Sequence, residues 1–150
     1  MKLNSLYQQL ILEHYRSPKN RGKLDDATVS IRMRNPTCGD DITLQLRVDD
    51  DEMIEDVRFY GEGCSISQAS ASIMTTLLME RSLDDAMQIA ARFTALMHGD
   101  EHAAKDRSLR DLRALQGVSK FPVRIKCALL GFDALQEAVR KTRGEPALEA

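Results

Sequence analysis

The chain has 150 residues, enough for one domain with a core that needs no disulfide staples. Hydrophobic residues make up 43% and charged residues 29%, a soluble globular composition and not a disordered one. With 21 basic against 23 acidic residues, 5% aromatics and no Trp, the chain lacks both an electrostatic footprint for phosphates and a base-stacking platform, which excludes nucleic acid as a partner.

The opening residues MKLNSLYQQLILEHYRSPKN contain no uninterrupted apolar run followed by small residues, so they do not read as a secretory signal. No stretch has the apolar length to span a bilayer. The expectation is a cytoplasmic protein with no membrane partner. Leu3, Leu6, Tyr7, Leu10, Ile11 and His14 recur at three- and four-residue intervals and predict a first helix, ended by Ser17-Pro18-Lys19-Asn20. Val29, Ile31 and Met33 then alternate with polar residues as a strand with one wet face. Asn35-Pro36-Thr37-Cys38-Gly39-Asp40 interrupts the pattern, and Ile42, Leu44, Leu46 and Val48 resume it. The acidic run Asp49–Glu52 predicts a hairpin turn before a third strand from about Ile54 to Tyr60. Short links between short strands imply an antiparallel meander.

Beyond Cys64-Ser65 the period becomes helical. Ile66, Ala69, Ile73, Leu77 and Leu78 share one side. Ser82 and Asp85 resemble a capping box opening a second pattern through Leu83, Met87, Ile89, Ala90, Phe93 and Met97. A polar stretch from Gly99 to Ser108 precedes a short pattern in Leu109, Leu112 and Leu115. Gly117–Phe121 is expected to be a loop, with Pro122 stopping any helix before it. A last helix is expected from about Lys126 to Thr142, followed by a flexible tail over about 143–150. Strands followed by helices define an α+β fold in one domain, a three-stranded antiparallel sheet packed against about five helices.

Three cysteines cannot all pair, and thiols inside cells stay reduced. Each is placed at the edge of an element: Cys38 in the turn between two strands, Cys64 between the third strand and a helix, Cys127 at the start of the last helix. Helix starts present unpaired N–H groups and a positive dipole end, which stabilise thiolates. Asp40 follows Cys38 by two residues, so both side chains can face one centre. Cys38, Asp40, Cys64 and Cys127 together would offer a tetrahedral S3O set of the kind zinc accepts, with a net charge of about −2 by simple addition. There is no CxxC knuckle, and spacing alone leaves buried thiols and a metal site as equal readings.

The strings Asn35-Pro36-Thr37-Cys38-Gly39-Asp40, Gly61-Glu62-Gly63-Cys64-Ser65-Ile66-Ser67-Gln68-Ala69-Ser70-Ala71-Ser72 and Arg124-Ile125-Lys126-Cys127-Ala128-Leu129 resemble, in order, the three cysteine motifs of the IscU/NifU/SufU iron–sulfur cluster assembly family. The resemblance implies a SufE/NifU-like α+β architecture and a metal site at Cys38, Asp40, Cys64 and Cys127. Scaffolds of the IscU type carry His before the third cysteine, whereas Lys126 stands here. With the long segment between Cys64 and Cys127, this is similar to the SufU branch. That branch implies a bound zinc ion and a sulfurtransferase role with Cys38 as acceptor. Persulfide sulfur would come from a SufS-type cysteine desulfurase, whose histidine enters the zinc shell and frees Cys38, and would pass on to downstream iron–sulfur assembly proteins. The alternative is a scaffold holding iron or an iron–sulfur cluster on the same thiolates.

Other polar residues carry less chemistry. Asp41 reads as a surface carboxylate. Lys126 offers charge compensation and not ligation, and Arg124 either steadies Asp40 or a thiolate or is a surface residue. His14 reads as a core histidine. His98 and His102 flank Gly99-Asp100-Glu101 in an order that no zinc-helix motif uses, so neither is expected to be a ligand. Met74, Met79, Met87 and Met97 read as core filling.

Overall fold

The computed structural model describes residues 5–145. Three strands, β1 (Val29–Asn35), β2 (Asp40–Val48) and β3 (Ile54–Glu62), form an antiparallel sheet in the order β1-β2-β3. The period-2 alternation buries Ile42, Leu44 and Leu46 of β2 with Val57 and Phe59 of β3, while Arg32, Arg34 and Arg58 lie on the wetter side. The acidic run does turn the β2–β3 hairpin. The Asp49 carboxylate accepts the N–H groups of Asp51 and Met53, each at 2.9 Å, so a side chain does the work of a backbone turn.

Helices cover the apolar face. α1 (Ser5–Arg16), α2 (Ser65–Leu78), α3 (Leu83–Met97) and the single turn α4 (Glu101–Ala104) are followed by a 3-10 segment (Arg107–Lys120) that is kinked at Arg110 (φ 45°), and by α5 (Pro122–Thr142). α5 lies on β1 and β2, and α2 packs beside it against α1. α2 is buried nearly all round, which its small residues allow. Its hydroxyls stay satisfied inside the core: Ser70 donates to the Ala128 carbonyl at 2.6 Å and Thr75 to the Ser72 carbonyl at 2.7 Å. Ser82 caps α3 by accepting the Asp85 N–H at 3.0 Å. Met74 and Met97 are fully buried, and Met79 and Met87 pack at the core's margin.

The structure departs from the expected boundaries in the C-terminal half. Gly117–Phe121 is not a free loop, because the 3-10 segment runs to Lys120; its buried Leu109, Leu112, Leu115 and Val118 tie it to the core. Pro122 opens α5 four residues earlier than expected, at the one helical position that needs no N–H. Cys127 therefore sits in the second turn of α5 and not at its start. The polar stretch contains α4, capped by Asp100 through the His102 N–H at 2.8 Å. Leu6, assigned to the buried stripe of α1, is 68% exposed. At the C-terminal end Arg143 is anchored to Glu52 at 2.8 and 3.0 Å and to Asp84 at 2.8 Å, and residues 146–150 of the expected tail lie outside the described residues, as does Leu3.

His14 is buried on α1, its Nδ1 2.7 Å from the Ser72 hydroxyl, which also accepts the Lys19 N–H. Burial, more than the nearby charges of Asp111, Lys19 and Glu13, lowers its pKa below the ordinary 6.5. As pH falls, the unfolded chain therefore takes the proton first. The stability tied to neutral His14 is present above pH 6.5 and lost as pH drops through the lowered folded value. Urea midpoints measured from about pH 7 to 5 are expected to fall less steeply for His14→Gln than for the parent. Parallel curves would remove His14 as the cause.

Candidate metal centre

The site forms where β1 turns into β2. Asn35 and Asp40 are the last paired residues of that ladder, joined through Pro36–Gly39. The Cys38 N–H returns to the Asn35 carbonyl at 3.2 Å, and Gly39 takes φ +71°, a left-handed conformation that favours glycine. Asp40 is not a turn residue. It shares the face of Ile42, Leu44 and Leu46, so strand alternation drives its carboxylate into the apolar side of the sheet, where it is 2% exposed.

That buried carboxylate is only half satisfied. Its Oδ1 accepts the Cys64 N–H at 2.9 Å and the Ser67 hydroxyl at 3.1 Å, whereas Oδ2 is buried with no partner. Gly63 makes this seat possible. A Cβ there would lie 2.5 Å from both Asp40 Oδ1 and Ser67 Oγ. The Cys127 thiol, buried on α5, donates to Cys38 Sγ at 3.1 Å. One donor atom from each of Cys38, Asp40 and Cys127 lies within 4.8 Å of the others. A partnerless buried carboxylate oxygen beside two sulfurs is costly without a cation and suited to one. The donor set therefore fits a thiophilic metal ion such as zinc.

Cys64 stands next to this group without joining it. It is the N-cap of α2, and its Sγ accepts the Ser67 N–H at 3.5 Å. Its backbone holds Asp40 while its sulfur is turned to the helix start. The expected placement of a thiol against unpaired helix N–H groups thus applies to Cys64, whereas Cys127 lies a turn too deep for it.

The electrostatics show the same shortage of positive charge. Burial pushes the Cys127 thiol upward, and the neighbouring Cys38 sulfur and Asp40 carboxylate add to this. The Arg124 guanidinium is raised by the Cys127 sulfur first and then by Cys64 and Cys38, so it belongs to the surroundings of the thiols. Lys126 is exposed and lines a cleft of about 230 Å³ with Asn35, Thr37, Pro122 and Val123 beside the cysteine loop. Asp41 points to the other side of the sheet and pairs with Arg32 at 2.6 and 3.0 Å. His98 closes α3 and His102 lies in α4, so neither is in the cluster. Two residues of the site, Gly63 and Ser67, had no assigned role from sequence. The available signal was a serine three positions after a cap and a glycine before a cysteine, neither of which names a carboxylate on another strand.

A three-stranded antiparallel sheet under helices, with thiols and a carboxylate gathered at one end, is the architecture of a cluster-assembly domain. The chain belongs to the family of the NifU-like N terminal domain, which matches residues 6–147. It is 47% identical over 142 residues to the zinc-dependent sulfurtransferase SufU of Bacillus subtilis, covering 95% of each chain. It is 40% identical to the iron–sulfur cluster assembly scaffold protein IscU of Streptococcus pyogenes, covering 94% of this chain and 87% of that one. The N-terminal part of a nitrogen-fixing NifU-like protein from Brucella abortus superposes with a TM-score of 0.83 over 93% of this chain and 96% of that one; at 21% identity this is a likeness of fold. Among the described residues, no helix is long and apolar enough to cross a membrane.

Proposed function

We propose that this protein is a zinc-dependent sulfur acceptor in iron–sulfur cluster assembly, taking persulfide sulfur from a SufS-type cysteine desulfurase. The observation that carries the reading is the convergence of Cys38, Asp40 and Cys127 around a buried, partnerless Asp40 Oδ2. The 47% identity to a zinc-dependent sulfurtransferase supports it. Cys38, Asp40 and Cys127 would hold the zinc, with Cys64 completing four ligands after its sulfur turns from the α2 cap. When bound, zinc supplies the positive charge that lets neighbouring thiols exist as thiolates.

Cys38 is the acceptor because it is on the loop, half-buried, whereas Cys127 is enclosed by α5. Its sulfur attacks the outer sulfur of the partner's persulfide. A Cys38 Sγ–S bond forms, the partner's S–S bond breaks, and the partner's cysteine leaves as thiolate. Arg124, close to all three thiols, steadies the anions before and after transfer. Lys126 lies on the approach to the Cys38 loop, where it offers charge compensation.

The test is Cys38→Ala with a cognate desulfurase and cysteine. The parent chain should gain one sulfur and raise desulfurase turnover, and the variant should do neither. Equal stimulation by the variant would end this reading. The similarity to a cluster scaffold protein favours a second reading, with the same thiolates holding iron and sulfide. Zinc bound at about one ion per chain, without a visible chromophore, supports sulfur transfer; a cluster spectrum that passes to an acceptor protein supports the scaffold.

A further inference from the structure

The geometry points to a second chemical step at this site: Cys127 is a resolving thiol that releases sulfur from Cys38 as hydrosulfide, leaving a Cys38–Cys127 disulfide. The inference rests on the reading of Cys38 as the acceptor and asks what becomes of the sulfur afterwards in the metal-free site.

Three observations single out Cys127. Its Sγ is 3.1 Å from Cys38 Sγ, so the two sulfurs already touch. Cys127 is 0% exposed, which shields it from external thiols and makes Cys38 its accessible partner. Cys64, the other thiol of the region, is engaged by the Ser67 N–H as the α2 cap and lies outside the cluster of donor atoms.

The position of Cys127 also selects which sulfur it attacks. In a Cys38 persulfide the inner sulfur is Cys38 Sγ, the atom Cys127 contacts, while the added sulfur extends beyond it. Attack there forms the Cys127 Sγ–Cys38 Sγ bond and breaks the Cys38 Sγ–S bond. The Cys127 proton ends on the departing sulfur, which leaves as hydrosulfide. The sulfane sulfur gains two electrons, and the two thiols supply them by becoming a disulfide, so no outside oxidant or reductant enters the step. Hydrosulfide is a weaker base than an alkyl thiolate and therefore the better leaving group. A thiol reductant is needed only to restore the site for another cycle. Zinc held by the same two sulfurs would keep them from joining, so a loaded chain stores sulfur and an unloaded one discharges it.

The experiment uses the full chain freed of metal with a chelator, charged with a low-molecular-weight persulfide (glutathione persulfide) and desalted at once. This donor bypasses the desulfurase, so failure of protein-to-protein transfer and failure of resolution are read separately. The parent chain is expected to release about one hydrosulfide per chain and to yield a Cys38–Cys127 cross-linked peptide by mass spectrometry after non-reducing digestion. Cys127→Ser is expected to keep the added sulfur on Cys38 and release at least about tenfold less hydrosulfide over the same time. The disulfide is mapped in the parent chain itself, so the result does not depend on how the variant folds. A parent chain that keeps its persulfide, or one that releases hydrosulfide without the cross-link, overturns the inference. So does release from Cys127→Ser that matches the parent.

Discussion

Gly63→Ala is expected to weaken binding of added zinc by about 10–100-fold, because it drives the Asp40 carboxylate away from the groups that orient it. The new methyl would stand 2.5 Å from Asp40 Oδ1 and from Ser67 Oγ, a separation that real Cβ atoms do not show. Neither neighbour can yield freely. Ser67 is fully buried in the first turn of α2, and Asp40 is fixed by its strand position. The carboxylate has to leave the Cys64 N–H and the Ser67 hydroxyl, which breaks up its grouping with Cys38 and Cys127. Competition with a chromophoric zinc chelator reads the affinity directly. Circular dichroism on the same sample reports whether the fold is retained. Affinity equal to the parent's would mean that the Asp40 seat does not govern metal binding.

Phe132→Ala carries the largest expected cost to folding, about 3–5 kcal/mol by urea titration. Phe132 is buried on α5 and faces Phe93 of α3, with ring centroids 4.7 Å apart. Truncation removes a large buried surface and also the aromatic pair, and the close-packed neighbours cannot collapse into the gap. Since domains are stable by only about 5–15 kcal/mol, this loss takes a large share of the total. It also loosens the helix that presents Cys127 to Cys38. Val123→Ala on the same helix is the control: Val123 is 62% exposed, and its truncation is expected to stay within about 0.5 kcal/mol. Similar urea midpoints for the two variants would refute the assignment of Phe132 to the core.

Much of the fold was legible because periodicity reports burial. Alternation in Val29–Met33 and Ile42–Val48 located two strands, and the acidic run marked the hairpin between the second and third. Both follow from local rules that act within a few residues. The C-terminal half was less legible for a physical reason. Proline at the first turn of a helix and proline ending one leave the same mark, and Pro122 does both: it follows the end of the 3-10 segment, as expected, and it also opens α5. Leu109, Leu112 and Leu115 at three-residue spacing suit a 3-10 segment as well as a short α-helix, and only packing against α3 and α5 decided between them. Leu6 fitted the stripe of α1, yet the core beneath the helix ends near Ile11 and His14.

The site divides in the same way. Sequence by itself named the candidates: three cysteines and Asp40, each in a motif of local character, with Arg124 standing between a site role and the surface. The period-2 phase of Asp40 with Ile42 even carried the information that this carboxylate is buried. Tertiary structure alone decided how the participants are used. The approach of α5 to the β1–β2 turn put Cys127 in contact with Cys38 across 89 residues of chain. The start of α2 took one oxygen of Asp40 and left the other free, and it turned Cys64 aside as a cap. No local pattern encodes these outcomes. They arise from the distances between side chains on separate elements, and those distances are set when the sheet and helices pack around one core.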